Sequence, residues 1–409
     1  METNLCIIFI EEKSNTLKKT LFLILLATSL AFAQKTTLSP QAELSVITCG
    51  PGEGELYASF GHSAFRVLDI SNRIDRVYNY GTFNFDTPNF YVKFARGKLL
   101  YELRAYNFGQ FLQSYHRENR WVKGQVLDLE QDELQAVFDF LENNARPENR
   151  SYKYDFFYDN CSTKLYDVLE EVLGDRLIFN KPFDQLEYTH RDLIELYMEP
   201  QPWGDFGIDL ALGADIDRKA TAREYMFLPD FVFEAFTSIQ LREGEEEKPI
   251  VKRTEEILLS YDKADARENL SPFQLFSILL LLVLFFTYRD HRKDKRNKVL
   301  DFLIFLVTGV AGLVMLLLWF ATDHTATVNN FNVLWAFAPN LIFAFLIGKN
   351  ARWNQWYLVT LLLLLDLLVV LWLFKVQVFH YALIPILAAL YVRYIYLWRY
   401  YHKRRKEPA

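Results

Sequence analysis

The stretch YDNCSTKLYD, residues 158–167, sets Cys161 just ahead of an amphipathic run made by Leu165, Val168, Leu169 and Val172. A helix N-terminus makes a thiol easier to ionise, and a nearby imidazolium makes it easier still. Backbone N–H groups of the same first turn can face an oxyanion. The position therefore offers two of the three things that covalent acyl chemistry needs. The third is a base. Of the histidines in residues 35–270, His116 lies in a charged helical stretch and His190 in the polar segment YTHRD. His62 stands at the head of a strand, behind a glycine, and is the best-placed base. Cys49, in the turn TCGPG shortly before His62, is a second candidate nucleophile.

Other uses of these residues stay open at this point. A cysteine before a helix can be a small buried hydrophobe. In an exported domain, Cys49 and Cys161 can form a disulfide. A zinc site of His62, Cys49 and Cys161 would need a fourth ligand that is not evident, so neither metal nor cofactor is expected. There is no nucleotide-binding glycine loop, and no basic stripe that would suit nucleic acid.

These residues need elements to hold them. Residues 44–48, 63–68, 74–80 and 122–129 read as strands. Residues 87–97, 107–118, 131–144 and 162–172 read as helices, the last ending at Gly174. The soluble part is thus α+β, and we set it at residues 35–245. Before it, KKTLFLILLATSLAFAQ has the form of a secretory signal cleaved after Ala33, making residues 1–33 a leader. Glu11 and Glu12 are odd in such a leader and point to Leu17 as the true initiator. Residues 246–271, entered through the acidic run EGEEEK, read as a solvated linker.

Residues 272–409 read as a five-helix transmembrane bundle, with apolar runs at 272–288, 300–320, 332–348, 355–374 and 380–398. Each is near the roughly 20 residues that a bilayer core requires. The first loop, RDHRKDKRNK, the third, with Lys349 and Arg352, and the tail are basic. The second, ATDHTATVNNFN, has no Lys or Arg. Basic loops stay inside, which puts the tail in the cytoplasm and the second loop outside with the soluble domain. Asp366, in the middle of LLLLLDLLVV, is a costly charge that should be paired or functional.

FGHSAFRV, DNC and TDH, in that order and together with five apolar runs, resemble the Lnb-type lipoprotein N-acyltransferases. These in turn resemble circularly permuted papain-like enzymes such as lecithin:retinol acyltransferase. The resemblance implies a permuted papain-like periplasmic domain with His62 and Cys161 as its catalytic pair. It places the orienting third group on the strand after the histidine, which offers Tyr78, Asn79 and Tyr80 rather than a His or Asp; of these, Asn79 could bond one imidazole nitrogen and leave the other for Cys161. It implies that a phospholipid acyl chain moves through a cysteine thioester to the amine of a bacterial lipoprotein, at the inner membrane. Asp323, His324, Asn160 and Asn332 are then candidates to position substrate. Two alternatives stand beside it, a cysteine hydrolase of lipid or cell-wall substrates and a non-catalytic periplasmic binding module. The aromatic stretch FNFDTPNFYVKFARGKLLYELRAYNF reads either as ordinary core or as a wall that keeps water from a thioester.

Overall fold

A computed structural model describes residues 35–52, 54–180, 183, 185–261, 270–349 and 351–406. The leader, with its expected cleavage and start sites, lies outside these.

The N-terminal half is built on one antiparallel sheet. Its strands are β1 (Glu43–Cys49), β2 (His62–Asp69), β3 (Ile74–Thr82), β4 (Leu100–Asn107), β5 (Val122–Leu127), β6 (Ser151–Lys153) and a late arrival from beyond residue 250. A small second sheet joins β7 (Leu177–Ile178), β8 (Gln240–Glu243) and β9 (Glu246–Pro249). The late arrival is β10 (Val251–Leu258), and the main sheet runs β10-β5-β1-β2-β3-β4-β6. Side chains alternate across the sheet, as a period of two requires. Leu44 and Val46 of β1 enter the larger core, while Ile47 and Cys49 face a smaller one under the helix Phe108–Glu118. The larger core is closed by the helices Gln131–Asn144 and Thr163–Leu173, among others.

Two expectations change here. Residues 246–258 are strands, not linker, because β10 pairs with β5 along the sheet edge, so the domain extends past residue 245. Residues 100–107, left unassigned by the sequence, form β4, which pairs with β3.

The C-terminal part holds three helices long and apolar enough to cross a bilayer among the described residues: Pro272–Lys293, Lys298–Ala321 and Arg352–Leu373. The run 332–348 is not a single helix. It contains a short 3-10 turn, Phe331–Leu334, and a seven-residue helix, Asn340–Leu346, which reaches only about 10 Å. This segment nevertheless runs antiparallel to the helix Lys298–Ala321. Ala336 abuts Gly312, Leu341 abuts Gly309, and Arg296 donates to the Ile347 carbonyl. Irregular backbone at membrane depth survives only where protein covers it, and Ala336, Asn340 and Phe343 are all buried. The last helix, Leu383–Lys406, is of spanning length but carries a buried Arg393, which bonds Asp301, Asp290 and Thr287 and ties three helices together. Asp366 is paired, accepting from the Tyr391 hydroxyl.

The two parts interlock. The helix Pro202–Ala211 and the turn after it meet the loop that follows Ala321. Asn330 donates to the Leu210 carbonyl at 2.8 Å, Asn332 to the Asp209 carbonyl at 3.1 Å, and Gly213 to the Ala326 carbonyl at 2.9 Å. His380 and Asp205 close the seam at 3.1 Å.

Candidate active site

β2 supplies the histidine and β3 its partner. The register Phe65↔Tyr78 puts Asn79 opposite Ala64. His62, two residues back along β2, is therefore its diagonal neighbour on the same face. His62 Nε2 lies 2.5 Å from Asn79 Oδ1. Asn79 Nδ2 donates to the Tyr106 hydroxyl at 2.6 Å, which fixes the amide with its oxygen toward the ring. Tyr106 comes from β4, the strand that the sequence left unassigned because LYELRAYN does not alternate cleanly. The ring of Phe111 also packs against His62, 6.5 Å between centroids. With Nε2 bound to the amide oxygen, Nδ1 is the nitrogen left for a second partner.

That partner is Cys161. His62 and the backbone N–H of Ser63 lie close enough to act on its thiol. The Ser162 hydroxyl lies 3.9 Å from the sulfur and donates to the Ser63 hydroxyl at 3.2 Å, tying the helix to the strand. Gly81, at the end of β3, lies against this cysteine: its φ is +83°, and a Cβ there would stand 3.4 Å from the Cys161 Cβ. Gly61 precedes His62 with φ +81°, and a Cβ there would stand 2.7 Å from the Cys49 carbonyl oxygen. Left-handed backbone suits glycine, and both glycines allow the cysteine and histidine to meet.

Charge and burial act in opposite senses at this pair. Burial pushes the Cys161 thiol up, but the charge and hydrogen bond of His62, the Ser63 N–H and the Ser162 hydroxyl bring it below its ordinary value. Burial pushes His62 down, but Cys161 and the Asn79 bond bring it above its own. The two shifts move toward each other, as a thiolate–imidazolium pair requires.

Asn160 sets the helix start. Its Oδ1 accepts from the N–H groups of Ser162 and Thr163, at 2.8 and 3.0 Å. Its Nδ2 donates to the carbonyls of Phe156 and Phe227. The side chain is buried and all its bonds are internal, so it caps the helix rather than meeting substrate. With those two amides taken, the Cys161 N–H, just ahead of the helix, donates to no internal acceptor among the described residues.

The other expected residues are placed as follows. Cys49 and Cys161 are free thiols, which overturns the disulfide. Cys49 is fully buried between β2 and β5, and burial pushes its thiol far up, so it is unsuited to attack. Asn332 is buried at the domain seam, accepting from the Trp335 indole at 2.9 Å, and is structural. Asp323 and His324 lie in the loop after Ala321, against the segments 96–97 and 153. Asp323 pairs with Lys153 at 3.2 Å and its N–H donates to the Arg96 carbonyl; His324 lies against Gly97. Thr325 donates to Asp155, so the whole TDH loop docks beside the segment leading to Cys161. His116 is exposed. His190 is buried edge-on to Phe157, and burial lowers its pKa to about 4.

Residues 31–194 match the family model of the Lnb N-terminal periplasmic domain, and residues 264–405 that of the Lnb transmembrane domain. No curated protein and no solved structure matches the chain. The pairing of an α+β domain with a helical membrane part agrees with both models and their order. The chain therefore belongs to the Lnb family, as an inner-membrane protein with a periplasmic N-terminal domain and a transmembrane C-terminal domain.

Proposed function

We propose that the protein is a cysteine-dependent acyltransferase that moves a phospholipid acyl chain to the N-terminal amine of a diacylglyceryl lipoprotein. The observation that carries this reading is the Cys161–His62–Asn79 chain at a helix N-terminus, in a domain joined to membrane helices. The domain is read as a permuted papain-like fold, since histidine strand precedes cysteine helix and an amide oxygen holds the ring.

The Cys161 thiolate attacks the ester carbonyl of the phospholipid, forming a C–S bond and a tetrahedral oxyanion. The Cys161 N–H is the donor available to that oxyanion. The C–O bond to glycerol breaks as the His62 imidazolium gives its proton to the departing oxygen. A lysophospholipid leaves and a thioester remains. The lipoprotein amine then attacks, losing its proton to His62. As the C–N bond forms and the C–S bond breaks, the thiolate–imidazolium pair is restored. Asn79 orients the ring throughout. Asp323 and His324, in the loop that docks beside the segment leading to Cys161, are proposed to position a head group or the amine.

For topology, the basic first and third loops and the tail lie in the cytoplasm. The chain then crosses five times, the third crossing being the broken segment 331–347.

The test uses purified protein in bilayers with phospholipid labelled in its acyl chain and a diacylglyceryl lipopeptide. The expected product is an amide-linked acyl lipopeptide, absent with Cys161→Ser. Free fatty acid without that amide would identify a hydrolase, and equal amide from Cys161→Ser would refute the assignment.

A further inference from the structure

The aromatic stretch after β3 is not ordinary core. Phe85, Tyr91, Val92, Phe94 and Leu100 are exposed, with Tyr91 78% and Phe85 67% accessible. The short helix Phe90–Ala95 carries most of them. A soluble surface rarely leaves so large an apolar group uncovered without a partner. The position of the group identifies that partner. The Arg96 carbonyl accepts from the Asp323 N–H at 2.9 Å, and Gly97 lies against His324. Both the donor, Asp323, and the contact, His324, belong to the loop that leaves the helix Lys298–Ala321, which is apolar and long enough to cross the bilayer. The aromatic loop is thereby pinned at the level where that helix emerges on the periplasmic side. Its charges fit the site: Lys93, Arg96 and Lys98 against one acid, Asp86, within residues 83–100. Apolar rings beside lysines and arginines are the make-up of an element lying in a bilayer interface.

We propose that residues 83–100 form an interfacial loop sunk in the outer leaflet of the inner membrane, its rings among the upper acyl carbons and its cations at anionic head groups. The loop also leads inward. Phe83 stands 5.5 Å from Tyr101, Tyr101 stacks on Tyr154 at 4.2 Å, and Tyr154 borders Gly81, which lies against Cys161. An acyl chain leaving the leaflet has a continuous aromatic ledge to the sulfur. The membrane contact stands by itself; the delivery of the acyl donor along the ledge rests on the acyltransferase reading.

The test places the full chain, as Cys161→Ser, in bilayers of phosphatidylethanolamine and phosphatidylglycerol containing phospholipid with a diazirine near the carbonyl end of one acyl chain. After irradiation, peptides are mapped by mass spectrometry. The expected result is insertion into residues 83–100 comparable with that in the helix Pro272–Lys293, and its loss in F85S/Y91S/F94S while the helix labels as before. Labelling of 83–100 no greater than that of the exposed acidic turn 243–247 would overturn the membrane contact. In a background with Cys161 intact, the triple variant should slow thioester formation from bilayer phospholipid roughly tenfold or more, since remote binding serves the reacting centre. Labelling with an unaltered rate would overturn the ledge alone. Labelling with no thioester in the unsubstituted protein would overturn the acyltransferase reading and leave the membrane contact standing.

Discussion

At the scale of residues, His62 is held from one side by an amide that is itself held by Tyr106. Asn79→Ala removes the bond that orients the ring and favours its charged form. We expect thioester formation to fall on the order of 10²-fold, part of what a positioned base contributes. The high-pH limb of the rate should also move to lower pH, because the His62 pKa loses one of the effects that raise it. A purely structural defect would leave that limb in place. In the unsubstituted enzyme the pH–rate curve for thioester formation should be bell-shaped. Activity rises as Cys161 deprotonates, below the usual thiol value, and falls as His62 deprotonates, above the usual imidazole value. A single rising limb centred on an ordinary thiol pKa would argue against the pair. Gly81→Val should cost most of the activity, since a branched side chain at φ +83° is strained and crowds Cys161.

At the scale of elements, the Cys161 helix begins where Asn160 binds two of its first amides. Asn160→Ala should destabilise the domain by about 1–2 kcal/mol, read as a lowered thermal midpoint, with loss of activity in proportion to loss of folded protein. A full loss of activity with unchanged stability would instead restore Asn160 to a substrate role. Much of this level was legible in the chain. Alternation marked β1, β2, β3 and β5, and the amphipathic run marked the helix behind Cys161. Tyr106 was not legible because LYELRAYN packs through β3 and a helix more than through its own alternation. Residues 246–258 were misread because their acidic composition reports an exposed sheet edge as readily as a linker; tertiary pairing with β5 decided it. Asn160 and Asn332 were read as binding groups since sequence shows a polar side chain but not its burial. Cys49 and Cys161, plausible as a pair by number, are kept apart because Cys49 faces the smaller core under the helix Phe108–Glu118 while Cys161 packs beside the larger one.

At the scale of the molecule, the periplasmic domain is docked directly on the membrane part. Arg191, almost fully buried, bridges Asp209 and Asp217 and also donates to the Gly213 carbonyl, at the base of the helix that docks on the membrane part. Removing one partner of such a buried group leaves uncompensated charge, so Arg191→Ala should cost about 3–5 kcal/mol. The check is faster proteolysis of the 202–216 segment in bilayers. This seam matters for the chemistry because both proposed substrates are lipids held in one leaflet. A reactive sulfur fixed at a set height above that leaflet meets them repeatedly. Fixed height also makes one measurement decisive for the whole reading: the intact mass of the full chain in bilayers, taken with phospholipid and without an amine acceptor. The expected result is a single added acyl group, released by hydroxylamine, mapped to the peptide containing Cys161 and discharged on addition of a diacylglyceryl lipopeptide. An unmodified chain under those conditions, or an adduct that persists in Cys161→Ala, would contradict it.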